Sequence, residues 1–140
     1  MKSFVNDMLG KVFMTQAARS LSGVRFLIIE DEMVQAMRLS EMLSEMGGAI
    51  SHIAFSYNQA REVAHQPIFD CAVLDVNLGG TLSFPIADTL KLRGIPFVFC
   101  TAFADGMDAY ADVSTTSWVD KPVHPRALEE MVLLALKAAK

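Results

Sequence analysis

Four clusters of polar side chains interrupt otherwise apolar runs: Glu30-Asp31-Glu32 after RFLII, Asp75 within CAVLDV, Thr101 after IPFVFC, and Lys121-Pro122 after SWVD. Carboxylates crowded together repel one another and raise each other's pKa unless they share a cation. A hard divalent ion with oxygen ligands, Mg2+, answers that demand and keeps water positions open for a phosphate. Lys121 and Thr101 would then offer a positive charge and a hydroxyl to phosphoryl oxygens. That is the equipment of phosphoryl transfer, in which positioning and charge neutralisation carry the catalysis. Each residue also has an ordinary reading. Asp75 alone is a strand-ending solvated acid, and Thr101 alone is a common strand former. Acids, hydroxyl and lysine together favour a shared site.

The elements that must bring them together alternate along the chain. Arg25–Glu30, Ala49–Phe55, Cys71–Val76, Ile95–Cys100 and Ser117–Val119 read as five strands, several of them near-continuous apolar runs of the buried parallel kind. Between and after them lie five expected helices: Met33–Met46, Tyr57–His65, Pro85–Leu92, one within Asp105–Asp112, and Arg126–Ala139. Asn77-Leu78-Gly79-Gly80 reads as a turn. Such alternation predicts an α/β fold, a doubly wound parallel sheet with helices on both faces. In open sheets of this kind ligands bind beyond the carboxyl ends of the strands, which is where all four polar clusters fall.

Length and composition agree. The chain has 140 residues, 52% of them hydrophobic and 20% charged, a globular balance that one ordinary domain accommodates. Two cysteines exclude a disulfide-dense scaffold, and Cys71 and Cys100 fall at opposite ends of their strands, too far apart to bridge. The longest apolar stretches, around Phe26–Ile29 and Ile95–Cys100, fall far short of the roughly 20 residues that span a bilayer. A net charge of -4 argues against coating nucleic acid. Charge is nonetheless uneven: residues 1–25 carry four basic side chains against one acidic, the remainder eight against fifteen. Phe4, Val5, Met8, Leu9, Val12 and Phe13 recur at helical spacing, so residues 1–23 are expected to form an amphipathic helical extension ahead of a domain at 24–140. No apolar core or cleavage site marks a signal peptide, and a cytoplasmic, reducing setting follows as the expectation. His52, His65 and His124 share no ligand spacing, so zinc is not expected.

The blocks FLIIEDE, CAVLDVNL, IPFVFCTA and WVDKP, in that order and each on a strand, resemble the receiver domain of two-component response regulators. The resemblance runs from about Val24 to Lys140. It implies a flavodoxin-like five-stranded parallel sheet of order 2-1-3-4-5 with five helices. It implies Asp75 as phospho-acceptor, Asp31 as a direct Mg2+ ligand, Glu30 acting through water, and the backbone carbonyl of Asn77 completing the metal site. Lys121 would pair with Asp75 or its phosphoryl group, Pro122 would follow a cis bond, and Thr101 and Trp118 would move together as a switch. A sensor histidine kinase or histidine phosphotransfer protein would act upstream, and a downstream protein target would read the phosphorylated surface. DVNLGG is similar to receivers paired with HWE-type kinases. With no basic recognition helix, transcription-factor activity is not expected, and the module would act as a stand-alone receiver.

Three positions depart from the family pattern. Gly79 stands where receivers usually carry proline, which should loosen the loop. Trp118 replaces the usual tyrosine or phenylalanine, so it reads equally as a half-buried surface aromatic. Phe103 replaces a polar side chain near the phosphate, from which slow self-dephosphorylation is expected. Two further readings compete: a small phosphatase of the haloacid-dehalogenase type, for which Asn77 is the wrong second residue because it cannot serve as acid or base, and a degenerate receiver that only binds. The amphipathic extension is expected to mediate self-association, as a homodimer.

Overall fold

The computed structural model describes residues 19–102, 107, 110 and 116–139. β1 (Arg25–Ile29), β2 (Ala49–Ala54) and β3 (Cys71–Asp75) alternate with α1 (Met33–Glu45) and α2 (Tyr57–Val63). A short hairpin, β4 (Asn77–Leu78) and β5 (Thr81–Leu82), precedes α3 (Phe84–Leu92); β6 (Phe97–Thr101), β7 (Ser117–Asp120) and α4 (Pro125–Ala138) follow. The main sheet has the order β2-β1-β3-β6-β7, and every pairing is parallel. With the hairpin set aside, this is the doubly wound order expected from the sequence.

Alternation along the strands builds two cores. Leu27, Ile29, Ala72, Leu74 and Phe99 face the side occupied by α2 and α3. Phe26, Ile28, Cys71, Val73, Val98 and Cys100 face α1 and α4, whose Leu39, Leu43, Leu128 and Val132 are buried against them. This double burial is why these strands read as unbroken apolar runs. Met33 and Met37 on α1 are exposed and Met42 is buried, as an amphipathic helix requires. Helix starts are marked locally. Ser56 accepts from the Gln59 N–H while Gln59 accepts from the Phe55 N–H, and His124 Nδ1 accepts from the Arg126 N–H ahead of Pro125. His124 is thus a helix cap.

Four helices, not the expected five, stand among the described residues. The fifth was expected within Asp105–Asp112, where only Met107 and Tyr110 are described. Both are buried, and Tyr110 packs against Phe84 and Phe99. The helical extension expected at residues 1–23 lies, up to residue 18, outside the described residues. Within the described residues ahead of β1, Leu21 is fully buried and donates its N–H to the Met46 carbonyl at 3.0 Å. Element ends shift by no more than two positions. The largest shifts are the start of β6 at Phe97 rather than Ile95 and the end of α2 at Val63 rather than His65. Both cysteines are buried and free.

Candidate functional site

Strand ends deliver the polar residues. β1 stops at Ile29, but the Glu30 N–H still bonds the Ala54 carbonyl at 3.0 Å, so Glu30 leaves the sheet with its side chain only 1% exposed. Asp31, the next residue, is exposed. β3 ends at Asp75, whose side chain is 12% exposed. Thr101 closes β6 and is buried. The Lys121 N–H donates to the Thr101 carbonyl at 2.6 Å, which extends the ladder one step past β7 and turns Lys121 toward the acids. The Lys121–Pro122 peptide bond is cis.

Lys121 Nζ donates to Glu30 Oε1 at 2.6 Å and to Asp75 Oδ2 at 3.0 Å. The other Glu30 oxygen accepts from the Glu32 N–H at 3.0 Å. Asp75 Oδ1 accepts from the Asn77 N–H at 3.2 Å. Glu30, Asp31 and Asp75 each bring a carboxylate oxygen within 4.8 Å of the others, the only such group found among the described residues. The acids and Lys121 therefore converge, and Asp31, Asp75, Asn77, Thr101 and Lys121 line one open cleft of about 500 Å3.

Burial pushes the Glu30 pKa up, against the Lys121 hydrogen bond and the Glu32 N–H that favour the carboxylate. Burial likewise works against the Lys121 ammonium, but hydrogen bonds and charge from Glu30 and Asp75 outweigh it and hold its pKa above the usual lysine value. A single cation thus neutralises part of a three-acid cluster, leaving an excess of negative charge at the open side.

Trp118 is half-buried on β7 and pairs in register with Phe99, while Thr101 pairs with Asp120. Thr101 and Phe99 are two apart, so Thr101 and Trp118 share one sheet face. Phe103 lies outside the described residues.

The loop after Asp75, expected as a turn, is a closed hairpin. Gly79 and Gly80 are the two central residues of the β4–β5 hairpin, with φ of +59° and +98°. Positive φ at both positions is the type I′ geometry that matches strand twist and that side-chain-bearing residues resist. The Asn77 side chain accepts from the Gly80 N–H at 2.7 Å and braces the turn. Sequence reasoning also missed Ser83. It precedes Phe84-Pro85 at a helix start and so looks like an ordinary cap, yet its side chain makes no cap bond. Instead its hydroxyl, fully buried, donates to the Asp75 carbonyl at 2.5 Å.

The response regulator receiver domain profile matches residues 26–133. No curated protein matches the chain. Among solved structures, the response regulator PhyR from Brucella abortus superposes with a TM-score of 0.75 at 23% identity, over 91% of this chain and 53% of that one. The solution structure of the PhyR receiver domain from Erythrobacter litoralis gives 0.73 at 24% identity, over 83% and 92%. The receiver domain of a modulated diguanylate cyclase from Desulfovibrio desulfuricans gives 0.73 at 22% identity, over 83% and 95%. The chain spans about half the length of the Brucella protein, and at these identities the likeness speaks for the fold. With the profile covering most of its length and four motif blocks meeting at one rim, the chain belongs to the response regulator receiver domain family.

Proposed function

We propose that this chain is a phosphorylation-driven signalling module whose acceptor is Asp75. The observation that carries the reading is the Lys121 ammonium set between Glu30 and Asp75, with Asp31 completing the acid cluster at the cleft mouth. An Asp75 carboxylate oxygen attacks the phosphorus of a phosphohistidine. The P–N bond breaks with its electrons going to the imidazole, and an acyl phosphate remains on Asp75. Lys121, already bonded to Asp75 Oδ2, is near enough to pair with a phosphoryl oxygen, and the Thr101 hydroxyl supplies a second donor.

The donor set fits a hard cation: every candidate ligand is oxygen, and the carboxylates are close enough to touch one ion. Asp31, Asp75 and the Asn77 carbonyl would hold Mg2+ directly. Glu30, both of whose oxygens are engaged within the protein, would act through water. When bound, the ion neutralises charge on the transferring phosphoryl group. The upstream partner on this reading is a sensor histidine kinase or histidine phosphotransfer protein. The output is a surface changed by a new dianion at Asp75, with Thr101 and Trp118 as the switch pair. The N-terminal extension would support self-association in a reducing, cytoplasmic setting, where two free thiols are at home.

Incubation with Mg2+ and acetyl phosphate or phosphoramidate, followed by intact mass, tests the reading. One added phosphoryl group on the wild type and none on Asp75→Asn is expected. No gain on the wild type refutes it, and repeated turnover of p-nitrophenyl phosphate would point to the phosphatase reading instead.

A further inference from the structure

Ser83 joins the acceptor strand to the helix that follows the hairpin. All of its polar groups are committed. Its hydroxyl donates to the Asp75 carbonyl at 2.5 Å and its N–H to the Val76 carbonyl at 2.8 Å. Its own carbonyl accepts from the N–H groups of Ile86 and Ala87 at 3.0 and 3.1 Å, opening α3. A serine at a helix start ordinarily turns its hydroxyl to the free N–H groups of the first turn. Here it turns the other way, fully buried, onto the backbone of the residue at the cleft floor.

The consequence is geometric. β3 ends at Asp75, and β4 begins only at Asn77. Between them the Val76 N–H is held by the Cys100 carbonyl, while Ser83 holds the carbonyls of Asp75 and Val76. The Asp75–Val76 peptide plane is therefore fixed from both sides. The next peptide, Val76–Asn77, is held through its carbonyl by the Ser83 N–H, and its own N–H meets Asp75 Oδ1 at 3.2 Å.

We infer that Ser83 is a positioning residue for phosphoryl transfer: its hydroxyl locks the Asp75–Val76 peptide so that the acceptor carboxylate is held for attack. This rests on Asp75 being the acceptor. Attack requires the reacting atoms to be aligned in advance, so a freed peptide plane lowers the rate without weakening donor encounter.

The test is the initial rate of labelling by phosphoramidate at saturating Mg2+, read against donor concentration for the wild type, Ser83→Ala, Ser83→Cys and Ser83→Thr, each first shown folded by circular dichroism. Ser83→Ala should slow labelling at saturating donor by about three- to tenfold, the range expected for one lost hydrogen bond, with the half-saturating donor concentration unchanged. Ser83→Cys, close in size but a weak donor, should be slowed alike and replaces the alanine variant if that one fails to fold. Ser83→Thr, which keeps the hydroxyl, should label within about twofold of the wild type. A folded Ser83→Ala or Ser83→Cys chain that labels at the wild-type rate overturns the inference, as does Ser83→Thr slowed as much as Ser83→Ala. A wild type that takes no phosphoryl group overturns the acceptor reading itself, which separates the two failures.

Discussion

Replacing Lys121 by methionine tests the electrostatics of the site without any phosphate donor. The variant removes a cation lying 2.6 Å from Glu30 and 3.0 Å from Asp75. At an effective dielectric of about 20, each contact is worth about 5–6 kcal/mol of attraction before desolvation is counted. Withdrawing the ions from water takes back several kcal/mol per ion, so the pair adds little beyond neutral packing. Removing one partner is different, because the Glu30 side chain is 1% exposed and its charge would be stranded. The expected loss of unfolding free energy is about 3–5 kcal/mol at pH 7.

Its pH dependence has a definite sign. Burial already raises the Glu30 pKa, and in the variant the Lys121 hydrogen bond that opposes this rise is gone. A carboxyl group whose folded pKa is raised favours the fold below its unfolded value, here 4.5, and that contribution vanishes as pH climbs through the folded pKa. The penalty should therefore be smallest near pH 5 and grow by up to about 1.4 kcal/mol per pH unit until Glu30 ionises. Urea unfolding followed by circular dichroism between pH 5 and 8 measures it, for the wild type, Lys121→Met, Glu30→Gln and the double variant. Glu30→Gln in the Lys121→Met background should recover about 2 kcal/mol or more at pH 7, since it removes the stranded charge. A pH-independent loss, a loss below about 1 kcal/mol, or a double variant as unstable as Lys121→Met would refute the reasoning.

The hairpin gives a second expectation. Gly80→Ala should lower stability by about 1–2 kcal/mol through backbone conformation alone, since a Cβ there meets nothing within 4 Å. Gly79→Ala should cost a similar amount, and an unchanged urea midpoint for both would contradict the type I′ turn. The thiols give a third. Burial pushes the Cys71 and Cys100 pKa values up to about 12, so Ellman's reagent at pH 8 should label neither in the native chain and both in guanidinium. Labelling of the native protein within minutes would show that one of the two strands is open.

Much of this molecule is written in local patterns. Runs such as RFLII and CAVLD announce buried parallel strands because both of their faces are covered. Polar residues at the ends of such runs must gather at one sheet edge once the strands are parallel. That is why Glu30, Asp31, Asp75, Thr101 and Lys121 could be assigned to one rim from their order alone. Local breakers mark a turn without giving its geometry. The two glycines after Leu78 look like slack in a sequence, and only the pairing of Asn77 with Leu82 turns them into a tight turn. Leu21 looks like part of a leader until Met46, at the end of α1, comes round to meet it.

Sequence alone determined the class of fold, the edge at which chemistry gathers and the residue types available there, because periodicity and chain order carry that information. Tertiary structure alone decided which atoms pair. Lys121 reaches Glu30 across 91 positions and holds it more closely than it holds Asp75, and the Ser83 hydroxyl turns away from its own helix to the acceptor's backbone. Hydrogen bonds of this kind depend on ångström-scale placement of segments far apart in the chain, and no local periodicity encodes that placement.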